Sequence, residues 1–251
     1  MEEYAKLLTG IGALVGAIAW PIALVVVVLV FRDGLRSILN MVPIMLDRVK
    51  KATLAGVVLE LDRVANAEVE SGPDKGGKIT PRQIESARQI AIQSQDVSTR
   101  ALLGELDRLS LEYDSLRRTL PPGEERTRAM TRVVIKMRSL APRLIDFLDA
   151  YKSSGSPGSR LAAVAMMQME PRVADLDWLR DRFSSEQPFV FYHAALALQN
   201  VANISDTHEK KQRLREVAQQ ALATVKSFPG TPDRGATEVL EMLISSLPQQ
   251  A

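Results

Sequence analysis

Residues 101–120 read ALLGELDRLSLEYDSLRRTL, residues 121–123 PPG, and residues 124–148 EERTRAMTRVVIKMRSLAPRLIDFL. In the first piece Leu102, Leu106, Leu109, Tyr113, Leu116 and Leu120 recur in alternating steps of four and three, the spacing of a helix that buries one stripe. In the last piece Met130, Val133, Val134, Met137, Leu140, Leu144, Ile145 and Leu148 mark a second such stripe. Pro121-Pro122-Gly123 ends the first helix and turns the chain, so the stripes face each other in an antiparallel hairpin. Before it, Thr80-Pro81 gives an N-cap and a first-turn proline to a helix through Ile84, Ala87, Ala91 and Ile92. The fold class is therefore all-α, with a helical hairpin region over residues 81–150.

Downstream, residues 151–251 hold a weak internal repeat. Arg160-Leu-Ala-Ala-Val-Ala165 aligns with Tyr192-His-Ala-Ala-Leu-Ala197, and paired alanines at helical spacing let neighbouring helices approach closely. The bundle is expected to grade into HEAT-like or armadillo-like helical pairs, closed by a last helix from Arg234 to Leu247.

Upstream, Leu7 to Phe31 is a run of 25 residues without a charge, between Lys6 and Arg32. About 20 apolar helical residues cross a bilayer core, so residues 7–31 are expected to be one transmembrane helix after a short tail, 1–6. Arg32, Arg36, Arg48, Lys50 and Lys51 follow the run and only Lys6 precedes it, which places the N-terminus outside and the C-terminal domain in the cytoplasm. Gly12 and Gly16 form a GxxxG through which two spans can pair, and Pro21, beside Trp20, marks a kink. Over 32–62, Leu35, Ile38, Leu39, Val42, Met45, Leu46 and Val49 give a juxtamembrane amphipathic helix, either lying on anionic headgroups or continuing the span as a stalk. Thr53 to Leu61 fits a strand or a helix end, and 63–80, with the Gly- and Pro-rich Glu68 to Thr80, reads as a flexible linker.

The 251 residues contain no cysteine and two histidines, which excludes disulfides, thiol catalysis and Cys-ligated zinc. A net charge of +2 with 25% charged residues excludes a wholly disordered chain and a strongly basic nucleic-acid binder. Arg128, Arg132 and Lys136 sit four apart and form a basic row for an anion, or a solvated face neutralised by Glu105, Asp107, Glu112 and Asp114 of the hairpin partner. Ser153 to Arg160 offers backbone N–H groups and the Arg160 guanidinium to an anion, or is a capped turn between helices. His193 beside Tyr192 has neither a nucleophile nor an orienting group in a known arrangement, so the pair reads as packing residues. His208 reads as an exposed residue at a helix N-terminus. No catalysis, cofactor or metal site is expected.

The SPGxR opening (Ser156, Pro157, Gly158, Arg160), Trp178-Leu179 and the EQPFVFYHAALAL stretch (Glu186 to Leu198) resemble a HEAT-like helical module of uncharacterised bacterial proteins, some of them membrane-anchored. The likeness runs from about Met130 to Asn203, and in such company the module implies a sensing or recognition unit of stress or phage-defence systems, with no activity assigned; the anchor and charge bias give the location expected, the bacterial inner membrane. The function expected is a single-pass membrane-anchored adaptor or sensor. Its partners would be the bilayer and another protein met around Trp178, Phe189, Phe191, Tyr192 and His193, with homo-oligomers formed through the span or stalk and no nucleic acid. The alternative is a membrane-active effector of a stress or phage-defence system, whose oligomerising span perturbs the bilayer.

Overall fold

The computed structural model describes residues 20, 21, 23, 52–70, 77–229 and 234–248. The chain divides into a unit of residues 1–52 and a unit of residues 53–251. In the first, residues 20, 21 and 23 are helical and exposed. The rest of the expected span, with Gly12 and Gly16, and residues 32–51 of the juxtamembrane segment lie outside the described residues. Among those described, no helix is long and apolar enough to cross a membrane.

The second unit is all-helical among its described residues. Helix α1 runs through residues 53–70 and α2 is Pro81–Gln93; α3, Thr99–Thr119, and α4, Glu124–Leu144, form the hairpin. A 3-10 turn at Ile145–Phe147 leads to the short α5, Leu148–Lys152, and then to α6, Pro157–Met169. After a second 3-10 turn, Pro171–Val173, come α7, Leu176–Ser185, α8, Pro188–Ile204, α9, His208–Ser227, and α10, Arg234–Ser246.

The helix starts follow the local chemistry. Thr80, Ser98, Ser156, Asp175 and Thr207 each accept a first-turn N–H with a side-chain oxygen, and proline sits in the first turn of α2, α6 and α8. Gly123, between α3 and α4, has φ +156°, a conformation that a side chain disfavours, so the turn needs glycine there.

Residues 53–61 are helical, not a strand, and the helix continues through 63–70, where a linker was expected. The stripe that settles this is Val57, Leu61, Val64, Ala65 and Glu68, all buried, which shows its helical period only when read past residue 61. In α2 the buried residues are Gln83, Ala87 and Ile90, whereas Ile84 and Ile92 are exposed.

Helix α4 sits at the centre, against α2, α3 and α6. From Val133 to Ala141 it is buried all round, so the side expected to face solvent is covered as well. The alanines of the repeat, Ala162, Ala163, Ala165, Ala194, Ala195 and Ala197, are all buried where α6 packs on α8. One hydrophobic core runs from Val57 to Leu247, with α7, α9 and α10 gathered around α8.

Candidate functional site

The α3–α4 turn and the start of α8 border a cleft of about 610 Å³, within the size range of small-molecule sites. Arg117 enters it from the last turns of α3, Glu124, Arg126, Thr127 and Arg128 from the first turns of α4, and Gln187, Pro188, Phe189 and Tyr192 from the start of α8. Gly77, Met130, Thr131 and His193 complete the lining. Among the described residues three guanidinium groups thus face one carboxylate. Glu124 pairs with Arg128 at 2.7 Å, while Arg117 and Arg126 have no acidic partner among the described residues. The Arg117 guanidinium lies 5.9 Å from the ring centroid of Tyr113, and Arg126 reaches only the Leu120 carbonyl, at 3.4 Å.

The aromatic wall is fixed from behind. Phe189 stacks at 5.9 Å on Tyr113 and meets the His193 ring edge-on at 4.6 Å, and Tyr192 meets the same ring at 5.4 Å. Tyr113 is fully buried, its hydroxyl has no hydrogen-bond partner of good geometry among the described residues, and burial pushes its pKa up to about 12 against the pull of the nearby Arg117 guanidinium. Gly77 lies so close to Tyr192 that a Cβ there would stand 2.5 Å from the phenol oxygen.

Beneath the cleft, α4 carries a fully buried cation, Arg138. Its Nε donates to Gln168 Oε1 of α6 at 2.8 Å, Nη1 to Gln83 Oε1 of α2 at 3.1 Å and Nη2 to the Gly77 carbonyl at 2.7 Å. Nη2 also lies 3.2 Å from His193 Nδ1 of α8, a contact in which the neutral imidazole accepts. Burial pushes the guanidinium down to about 9, opposed by Tyr192 and Glu68, so it stays charged at neutral pH. Glu68, buried in α1, accepts from Thr80 at 3.0 Å and from Gln83 Nε2 at 3.1 Å. Gln168 Nε2 donates to the His193 carbonyl at 2.6 Å, and Asn200 closes the chain at the Gln168 carbonyl.

Burial, and then the charge of Arg138, hold the His193 imidazole well below its usual range. The unfolded chain titrates this residue near pH ~6.5, so below that value it binds a proton that the native chain refuses. Stability is therefore full above about pH 6.5 and falls by about 1.4 kcal/mol per pH unit as the medium is acidified towards the folded pKa. Urea unfolding as a function of pH is expected to show this slope, and His193→Gln to flatten it. An unchanged slope in the variant would assign it to other groups.

The basic row expected on α4 does not form one exposed face. Arg128 is exposed and paired with Glu124, Arg132 is half-buried, and Lys136 is buried against Asp62 of α1 at 2.5 Å. The acids expected to neutralise the row are engaged elsewhere. Glu105 and Glu112 bind Arg108, Asp107 accepts from the Tyr151 hydroxyl at 2.7 Å, and Asp114 holds the start of α6. Arg160 is paired with Glu186 and donates to the Ser154 and Gly155 carbonyls. The Ser153–Arg160 turn already has its anion, because Asp114 accepts from the Ser156 hydroxyl at 2.6 Å and from the Gly158 N–H at 2.9 Å.

The expected partner surface also divides. Phe191 and His193 are buried in the core, because α8 packs against neighbours on several sides. Trp178 is half-buried under the Arg182 guanidinium, 4.2 Å from its ring, while Phe189 and Tyr192 line the cleft. His208 is the exposed first residue of α9. Among the described residues no group of His, Asp and Glu is placed to hold a metal ion. Arg117 and Arg126, two rim cations without an acid among the described residues, had no signal in the sequence beyond their place beside the Pro-Pro-Gly turn. No family model matches the chain, and neither a curated protein nor a solved structure matches it.

Proposed function

We propose that the chain is a single-pass, membrane-anchored binding protein of the sensor or adaptor type, with its helical domain in the cytoplasm and its ligand taken up in the cleft between α3, α4 and α8. The cleft carries this reading, since it joins two guanidinium groups that have no acidic partner among the described residues to an aromatic wall held by buried neighbours. The uncharged run Leu7–Phe31 and the basic collar after it support the anchor and its direction. The buried small residues at 162–163 and 194–195, where α6 packs on α8, support a HEAT-like relationship between these two helices.

One preparation tests both parts. In membranes from expressing cells the full chain is expected to resist alkaline extraction, and a photo-crosslinking residue in place of Thr127 to form a specific adduct that the same residue at exposed Met242 does not. Extraction into the soluble fraction would remove the anchor; the absence of a cleft-specific adduct would remove the binding role. A second reading, a membrane-active effector, rests on Gly12 and Gly16. It requires that induction depolarise cells and that Gly12→Leu with Gly16→Leu abolish the effect.

A further inference from the structure

We infer that the cleft binds an organic phosphate bearing a planar ring, a ligand of the nucleotide class, with the phosphates at Arg117 and Arg126 and the ring against Phe189 and Tyr192. The inference rests on the cleft being the binding site proposed above and names its ligand.

The anionic half of the ligand follows from charge. Among the described residues Arg117 and Arg126 line the cleft without a carboxylate partner, and Arg128 is only half committed, exposed and tied to a single glutamate. The planar fork of a guanidinium matches phosphate oxygens in pairs. Two helix starts meet here, because the first turns of α4 and α8 both line the same space. Their cap residues, Gly123 and Gln187, make no side-chain bond to the first-turn N–H groups, whereas α2, α3, α6, α7 and α9 all have such a bond. The start of α8 has no acid in its first turn, so its positive end favours an anion, while Glu124 and Glu125 already answer that of α4.

The other half follows from shape and surface. Phe189 and Tyr192 are only partly buried, lie three apart on α8 and so share a face of it; Pro188 and Met130 extend the apolar patch. Aromatic faces of this kind accept a base by stacking whatever its sequence identity. The polar side chains of Thr127, Thr131 and Gln187 among the lining suit a sugar and fit an acyl chain poorly. A volume of about 610 Å³ leaves room for both parts of one small molecule, and far more than a bare phosphate fills.

Equilibrium dialysis of the full chain in detergent micelles tests the inference, with ATP and GTP as probes, inorganic tripolyphosphate as the ring-free probe and phosphatidylglycerol in mixed micelles as competitor. Saturable binding of at least one nucleotide is expected, with tripolyphosphate at least about tenfold weaker. Arg117→Ala and Arg126→Ala should each weaken the nucleotide about tenfold, with Lys at either position restoring part of the loss. Phe189→Leu should weaken the nucleotide about tenfold and leave tripolyphosphate unchanged. Thermal melts of each variant separate lost binding from lost folding, and a variant that melts early is replaced by its Lys or Tyr counterpart.

No saturable nucleotide binding overturns the inference. Equal affinity for nucleotide and tripolyphosphate also overturns it and assigns the cleft to bare phosphate. Displacement of tripolyphosphate by phosphatidylglycerol, with no nucleotide binding, overturns it in favour of a lipid headgroup. In all three cases a cleft-specific photo-adduct would leave the broader binding role standing.

Discussion

Arg138→Met is expected to lower the unfolding free energy of the helical domain by about 3–5 kcal/mol, the range for removing one member of a buried charged network. Methionine nearly fills the space but donates nothing. Gln168 Oε1, Gln83 Oε1, the Gly77 carbonyl and His193 Nδ1 all lose a donor inside the protein, and Glu68 loses the cation facing it. Each orphaned buried acceptor costs about 1–3 kcal/mol, while release from burying the guanidinium offsets part of that sum. Arg138→Lys should fall between, because one ammonium cannot reach acceptors that arrive from α2, α6, α8 and residue 77 at once. Lys136→Met, two residues away, is the contrast. Its partner Asp62 is 47% exposed, so that pair should contribute under about 1 kcal/mol. Urea unfolding followed by far-ultraviolet circular dichroism measures all three. An Arg138→Met protein as stable as the parent would mean that the network is not coupled to folding.

Arg138 also shows where reading the sequence stops. The hairpin was legible because leucine spacing, the Pro-Pro-Gly turn and the caps Thr80 and Ser156 are local features, as are the alanine pairs of α6 and α8. A basic residue on α4 gives no local sign of burial. What covers Lys136 and Arg138 comes from Asp62, Gly77 and Gln83, more than fifty residues earlier, and from Gln168 and His193, thirty and fifty-five residues later. The second half of α1 was hidden by the Gly- and Pro-rich stretch that follows it, which lent its character to residues 63–70.

The burial of Phe191 and His193, by contrast, had a usable signal. Gln187 to Ser205 contains no Asp, Glu, Lys or Arg, and a helix apolar on every side is a buried one. Reading aromatic content as a surface missed this. The cleft had no such signal, because Arg117 and Arg126 meet Phe189 and Tyr192 across more than sixty residues of chain, and the packing of α3, α4 and α6 on one another, and of α6 against α8, brings them together.

That packing depends on one glycine, and Gly158→Val is expected to destabilise the domain by about 3–4 kcal/mol. Gly158 lies in the first turn of α6, and a Cβ placed on it would run into the Ser110 carbonyl group of α3. The obstacle is backbone inside a helix, which cannot rotate aside as a side chain can, so the two helices must part. Parting them also strains the two bonds by which Asp114 holds the Ser156 hydroxyl and the Gly158 N–H, and with them the start of α6. Gly104, on an exposed face of α3 with open space where a Cβ would go, provides the opposite sign. Gly104→Ala should raise stability by about 0.5–1 kcal/mol, since alanine removes the entropy that glycine loses in a helix. Gly158→Ala should lower it by about 2 kcal/mol despite the same gain in propensity. If the two alanine variants shifted the urea midpoint in the same direction, close approach of α3 and α6 could not be what the glycine provides. Because α6 positions α8, and α8 carries Phe189 and Tyr192, Gly158→Ala should also weaken ligand binding in the cleft while leaving Arg117 and Arg126 untouched.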